Sequence, residues 1–167
     1  MDIHRHNAAA WNAESDRGDS PWCQPVSAEL IAAARDGDWS VILTPNKAVP
    51  KAWFGELAGA RVLCLAGSGG QQAPVLAAAG ADVTVLDISA AQLAKDVFVA
   101  ERDGLDLAVI EADMTRLSDH VSGAFDLIFH PISNLFIADL MPVWSQCAAV
   151  LKPGGRLLSG FVNPDFW

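Results

Sequence analysis

The chain has 167 residues, of which 51% are hydrophobic and 19% charged, and its formal net charge is −9. That size and composition suit one domain with a sizeable core and argue against a disordered chain. The acidic balance excludes nucleic acid and an anionic membrane surface as expected partners, since both are recognised through basic patches, and no apolar run approaches the ~20 residues of a membrane-spanning helix.

Residues 1–25 are polar and read as irregular, with Trp11 and Trp22 embedded in them and no signal-peptide core at the start. His4, His6 and Cys23 are too few for a metal centre, and no metal is expected. Arg17-Gly18-Asp19 spells an adhesion tripeptide, read here as coincidence with Gly18 making a turn. Ser27 suits the N-cap of a helix running to about residue 35, which Gly37 and Asp38 end. A short apolar run covers residues 39–43, and a second helix is expected over residues 50–57. Four of the six tryptophans fall in this part: Trp11, Trp22, Trp39 and Trp53. Exposure at that density would be costly, so they are expected to pack on the core or, for Trp11 and Trp22, also to cover a ligand. Residues 1–59 are taken as a cap and 60–167 as the core of one compact unit.

Residues 62–89, VLCLAGSGGQQAPVLAAAGADVTVLDIS, read as strand, glycine-rich turn, helix and strand. VLCLA is continuously apolar, as a parallel strand covered on both faces should be. Gly67-Ser68-Gly69-Gly70 lets the backbone turn sharply beside a ligand. Pro74 fits the first turn of the helix, and Gly80 fits the position after its end. The second strand ends on Asp87. A helix N-terminus offers N–H groups to an anion, and an acid at the next strand tip can accept hydrogen bonds from a ribose diol. Together they describe a nucleoside-cofactor site. The dinucleotide fingerprint needs a third glycine where Gln72 stands, which disfavours NAD.

Ser89 then caps a helix to about residue 102, with Leu93, Val97 and Ala100 at helical spacing. A strand over 107–110 leads into Glu111-Ala112-Asp113-Met114, where Asp113 reads as a helix N-cap or a site residue. The strand FDLIFH, 125–130, runs into His130-Pro131-Ile132-Ser133-Asn134. His130 could serve as a general base near neutral pH or as a packing residue. A helix over 140–151 places Trp144, Cys147 and Val150 on one face. Lys152-Pro153-Gly154-Gly155 stops it, and a fifth strand follows over 156–162. Cys23, Cys64 and Cys147 read as reduced thiols of a cytoplasmic protein. The alternation predicts a doubly wound α/β fold: a Rossmann-like, mostly parallel sheet in the order 3-2-1-4-5 under an N-terminal helical cap.

The loop Ala66-Gly67-Ser68-Gly69-Gly70, the acid Asp87 and the string VLKPGGRLLSGF resemble the class I S-adenosylmethionine-dependent methyltransferases over residues 60–162. Ala66 and Ser68 stand where that family usually has glycine, and Cys64 where it usually has an acid. HPISN differs from the Asn-Pro-Pro-Tyr pattern of enzymes that methylate nucleic-acid bases. The resemblance implies S-adenosylmethionine as cofactor and S-adenosylhomocysteine as product. It assigns the methionine part to backbone N–H groups of the Ala66, Gly67, Ser68, Gly69 and Gly70 loop. Asp87 would take the ribose with Ile88 beside the adenine. Asp113 would meet the adenine amino group between Ala112 and Met114, and His130 and Ser133 would lie towards the methyl. An acidic chain with an aromatic cap implies a small-molecule methyl acceptor. The alternative is a shortened module that binds cofactor or partner without turnover. The family's sheet carries two further strands, so a bare fifth-strand edge is expected, and a homodimer paired along it with Phe166 and Trp167 as contacts.

Overall fold

The computed structural model describes residues 2–45 and 47–162. The segment expected to be irregular forms a helix, α1 (Ile3–Arg17). The Asp2 carboxylate caps it, accepting from the N–H groups of His4 and Arg5, and Gly18 ends it in the left-handed region at φ 72°. Three consecutive alanines favour the helix, but only Ser15 is buried. No apolar stripe therefore marks it in the sequence. A 3-10 turn (Pro21–Cys23) follows, then α2 (Ala28–Arg35), capped as expected by Ser27 Oγ accepting the Leu30 N–H. Two short strands, β1 (Ile42–Thr44) and β2 (Lys47–Ala48), pair antiparallel. The helix expected over 50–57 is only a 3-10 turn, Lys51–Trp53, because Gly55 takes φ 75° and breaks helical geometry. Trp39 packs edge-on against Phe54 at 5.1 Å, and Phe54 stacks on Phe129 at 5.8 Å. Trp53, by contrast, is 54% exposed.

The core alternates regularly: β3 (Arg61–Leu65), α3 (Gln72–Ala78), β4 (Asp82–Asp87), α4 (Ala90–Asp103), β5 (Leu107–Glu111), β6 (Phe125–His130), α5 (Met141–Val150) and β7 (Leu151–Ser159). The five strands form one parallel sheet in the order β5-β4-β3-β6-β7, which is the expected 3-2-1-4-5. Each face has its own core. Val62, Cys64, Val83, Val85, Leu127 and Phe129 meet α2, α3 and α4 on one side. Leu63, Leu65, Leu86 and Ile128 meet Met114, Leu117 and α5 on the other. Burying each large aliphatic or aromatic side chain stabilises by roughly 1.5–3 kcal/mol, so central β3, fully covered on both faces, is the least movable part of the fold. All three cysteines are buried and free.

The fifth strand begins earlier than expected. Leu151 pairs with Phe125 and Arg156 with Leu127, so five steps along β7 match two along β6. Lys152-Pro153-Gly154-Gly155 is therefore a bulge within the strand and not a turn before it; Gly154 supplies φ 80°. Lys152 Nζ donates to both Asp126 carboxylate oxygens at 2.8 and 2.7 Å, and the Arg61 N–H donates to Asp126 Oδ2 at 2.8 Å. That contact ties the bulge to the start of β3. Among the described residues β7 pairs with β6 alone. Phe166 and Trp167 lie outside the described residues, and no described helix is long and apolar enough to cross a membrane.

The turn after β3 is pressed onto α4. The Gly69 N–H donates to Gln92 Oε1 at 3.0 Å, and the Gly70 N–H to Asp96 Oδ1 at 2.8 Å. Gln92 and Asp96 are four residues apart on one buried face of α4. A Cβ on Gly69 would lie 2.8 Å from the Gln92 carbonyl carbon, a contact only backbone movement can relieve. Gly69→Ala is expected to destabilise by about 2–4 kcal/mol in urea unfolding. Burial pushes the Asp96 carboxyl up to about 7, against the opposing Gly70 N–H. The folded chain then holds a proton that the unfolded chain releases near the ordinary aspartate value of 3.8. This contribution to stability is full below about pH 4 and is lost as pH rises to about 7. Asp96→Asn is expected to flatten that part of the stability profile, read by denaturant unfolding from pH 4 to 8.

Candidate functional site

The sheet order reverses at β3, whose chain continues to β4 on one side while β6 lies on the other. The loops leaving the strand C-termini diverge there and open a cavity, the usual ligand position of such sheets. Its floor is Ala66, Gly67 and Ser68 after β3, Asp87 and Ile88 after β4, Ala112, Asp113 and Met114 after β5, and Pro131, Ile132 and Ser133 after β6. Its roof comes from the N-terminal segment: His4, Asn7 and Trp11 of α1, Trp22, and Ile42 to Pro45 at the β1–β2 hairpin, with Phe136 and Ile137 closing one side.

Eight of the residues expected at a cofactor line this cavity: Ala66, Gly67, Ser68, Asp87, Ile88, Ala112, Asp113 and Met114. Gly69, Gly70 and His130 do not. The two glycines lie behind the turn, where close packing on α4 demands them. The expected use of the loop N–H groups also changes. Those of Ser68, Gly69 and Gly70 donate to Gln72 Oε1, Gln92 Oε1 and Asp96 Oδ1, so the chain's own side chains hold them. Gln72, which stands where a dinucleotide site would need glycine, thus fastens the turn. Ala66 takes φ 50°, the one described non-glycine residue at positive φ. The bend is kept although alanine replaces the family's glycine, with some strain.

Asp87 is 92% buried at the tip of β4. Its Oδ1 accepts the Ser89 N–H at 2.7 Å. Burial pushes its carboxyl up to about 7, opposed by the Ser89 and Ile88 N–H groups. Among the described residues no cation pairs with it or with Asp96. Asp113 is the cap that one reading of the sequence expected, and it also lines the cavity. Its Oδ1 accepts the Thr115 N–H at 2.8 Å as the cap of the 3-10 turn Met114–Asp119, and its Oδ2 faces His4 Nδ1 at 2.6 Å.

His130 is fully buried. Strand alternation puts it on the face of Ile128, beneath α5. Neither ring nitrogen has a partner among the described residues, and burial pulls its pKa down to about 4, so the ring is neutral at pH 7. His130 therefore does not line the cavity, where it was expected. Ser133 lines the cavity with a buried hydroxyl that has no partner among the described residues. Sequence reasoning missed His4, Asn7, Gln72 and Gln92 as cavity residues. Gln92 and Asp96 did carry a signal, two polar residues at i, i+4 beside the apolar stripe of α4. His4 and Asn7 on α1 carried none.

The family model of a methyltransferase domain matches residues 63–159. Relatives include the uncharacterized methyltransferase YbaJ of Bacillus subtilis, 48% identical over 95% of this chain and 62% of that protein. A ubiquinone biosynthesis O-methyltransferase of Nitrosococcus oceani is 32% identical over 64% of this chain and 45% of that protein. The chain thus spans about half to two thirds of the length of these relatives. Among solved structures, the cyclase SpnF matches with a TM-score of 0.55 and 28% identity, over 60% of this chain and 38% of that one. These matches do not favour a module without turnover. The sheet order, the cavity at its switch point and the family match over most of the core agree: this chain belongs to the methyltransferase-domain family, with a class I Rossmann-like fold.

Proposed function

We propose that the chain binds S-adenosylmethionine in this cavity and transfers its methyl group to a small, largely apolar acceptor, leaving S-adenosylhomocysteine. The observation that carries the reading is Asp87, a buried carboxylate with no cation paired to it among the described residues, lining the cavity beside the β3 turn. Neutral hydroxyl donors suit such a group: they satisfy its oxygens without a second buried charge. A ribose diol offers two. The remaining lining fits the same compound. Ile88, Ala112 and Met114 give apolar surface for a base. Ala66 to Ser68 bring backbone rather than bulky side chains to the ligand. The acidic chain favours a cationic sulfonium over an anionic cofactor.

When bound, S-adenosylmethionine supplies an already activated methyl group, which leaves the protein chiefly the work of alignment. Asp87 orients the sugar. The roof of Trp11, Trp22 and Phe136 excludes water, with Trp11 edge-on to Phe136 at 5.4 Å. Ser133 Oγ is placed to hydrogen-bond an acceptor, since nothing described competes for it. Ile42, Leu43, Ile132 and Ile137 make the rest of that end apolar, which favours a ring or short chain with one polar group. The name of the Nitrosococcus relative makes phenols the first acceptors to try, with thiols and amines beside them in a tritiated-methyl assay.

Calorimetry with S-adenosylhomocysteine tests the site. Asp87→Ala is expected to weaken binding by about 1–3 kcal/mol. The ionised carboxylate is the better acceptor and forms as pH rises through about 7. Wild-type affinity is therefore expected to rise between pH 5 and 8, with a flatter profile in Asp87→Asn. Equal affinity in wild type and Asp87→Ala would reject the assignment.

A further inference from the structure

We propose that His4 is a cofactor-retaining residue: held on the Asp113 carboxylate, it clasps α1 across the base end of the cavity and must release before the bound nucleoside leaves. The inference rests on the nucleoside reading above and adds a residue to it.

Helix α1 is attached very differently at its two ends. Its C-terminal half is fastened to α4 by several bonds. Asn12 Oδ1 accepts from Ser89 Oγ at 2.7 Å and from the Ala91 N–H at 3.1 Å. Ser15 Oγ donates to the Ala91 carbonyl, and Lys95 Nζ donates to the Ser15 carbonyl. Ser15, the helix's one buried residue, lies in this half. The N-terminal half has no buried residue. It is held across the cavity by the His4–Asp113 pair at 2.6 Å and by Asn7 Nδ2 donating to the Phe136 carbonyl at 2.6 Å. All four of those residues line the cavity. At 1.5 Å per residue, His4 stands about 12 Å along the helix from Asn12. The helix is thus anchored at one end and latched at the other, with the ligand space under the latched end.

The position of the latch decides what it touches. Asp113 follows β5 between Ala112 and Met114, the surface proposed for the base. Its Oδ1 is committed to the Thr115 N–H, so Oδ2 is the oxygen that His4 shares with an incoming base. His4 and Asp113 side chains are 39% and 22% exposed. Water screens such a pair, so it closes the roof without sealing it. With Nδ1 on the carboxylate, His4 can present its ring to the base while α1 stays down. The far end of the cavity, at Pro131 to Ser133, lies on other loops, so His4 is a positioning residue and not a proton acceptor for methyl transfer.

The test is the dissociation rate of radiolabelled S-adenosylhomocysteine, chased with unlabelled compound. His4→Ala is expected to speed release about tenfold while changing association less. His4→Asn, which keeps a donor at the δ position, is expected to restore most of the retention and guards against a folding defect in the alanine variant. In an Asp113→Ala background, His4→Ala is expected to speed release less than twofold further. Wild-type release rates in His4→Ala, or an undiminished effect in the Asp113→Ala background, would overturn the clasp. Failure of the wild-type chain to bind the compound at all would instead remove the nucleoside reading, and the clasp with it.

Discussion

The contact on which the rest of this structure depends is the seat of the β3 turn on α4. Gly69 lies so close to the Gln92 backbone that no side chain fits between them, and Gln92 and Asp96 take the N–H groups that the turn exposes. An open glycine turn would lose several unbonded donors to burial, each costing about 1–3 kcal/mol. Here α4 satisfies them, so the bend does not need a ligand to hold its shape. Ala66 at positive φ and Gln72 beneath the turn belong to the same arrangement. The cavity floor is thereby formed in advance, which lowers the ordering cost of binding.

That arrangement places two carboxylates in the interior with no cation paired to either among the described residues. Asp96 supports the turn and Asp87 faces the cavity, and burial raises both to about 7. The charge on Asp87 further raises Asp96. A folded protein tolerates such groups where surrounding packing is strong, and central β3 and β4 supply it. The two acids do different work. Each accepts a backbone N–H on its Oδ1, Asp96 from Gly70 and Asp87 from Ser89, but only Asp87 lines the cavity, where we propose that it meets hydroxyl groups. A perturbed acid in a cleft is a candidate for a functional site, and of the two only Asp87 lines the cavity.

The roof is built on weaker principles than the floor. Helix α1 buries one side chain, and polar contacts plus the edge-on Trp11–Phe136 pair hold it over the cavity. A wall of that kind can open without disturbing the sheet, because its contacts are local and partly hydrated. The same chain therefore combines a preformed floor with a more weakly held cover, which suits the proposed exchange of a cofactor and an acceptor.

By itself, the sequence determined the sheet, its order and most of the floor. Continuous apolar strands can be stable only when covered on both faces, glycine turns and caps leave local marks, and Asp87 and Asp113 stand at strand ends that the pattern locates. The tertiary structure alone decided which turn residues line the cavity, since Gly69 and Gly70 turn away to meet a helix more than twenty residues distant. It kept His130 out of the cavity lining, because which face a strand's last residue takes depends on what packs there. It also made α1 a helix and brought His4 to Asp113, 109 positions along the chain. A weakly amphipathic helix held by long-range hydrogen bonds writes no periodic pattern, so only folding could reveal it.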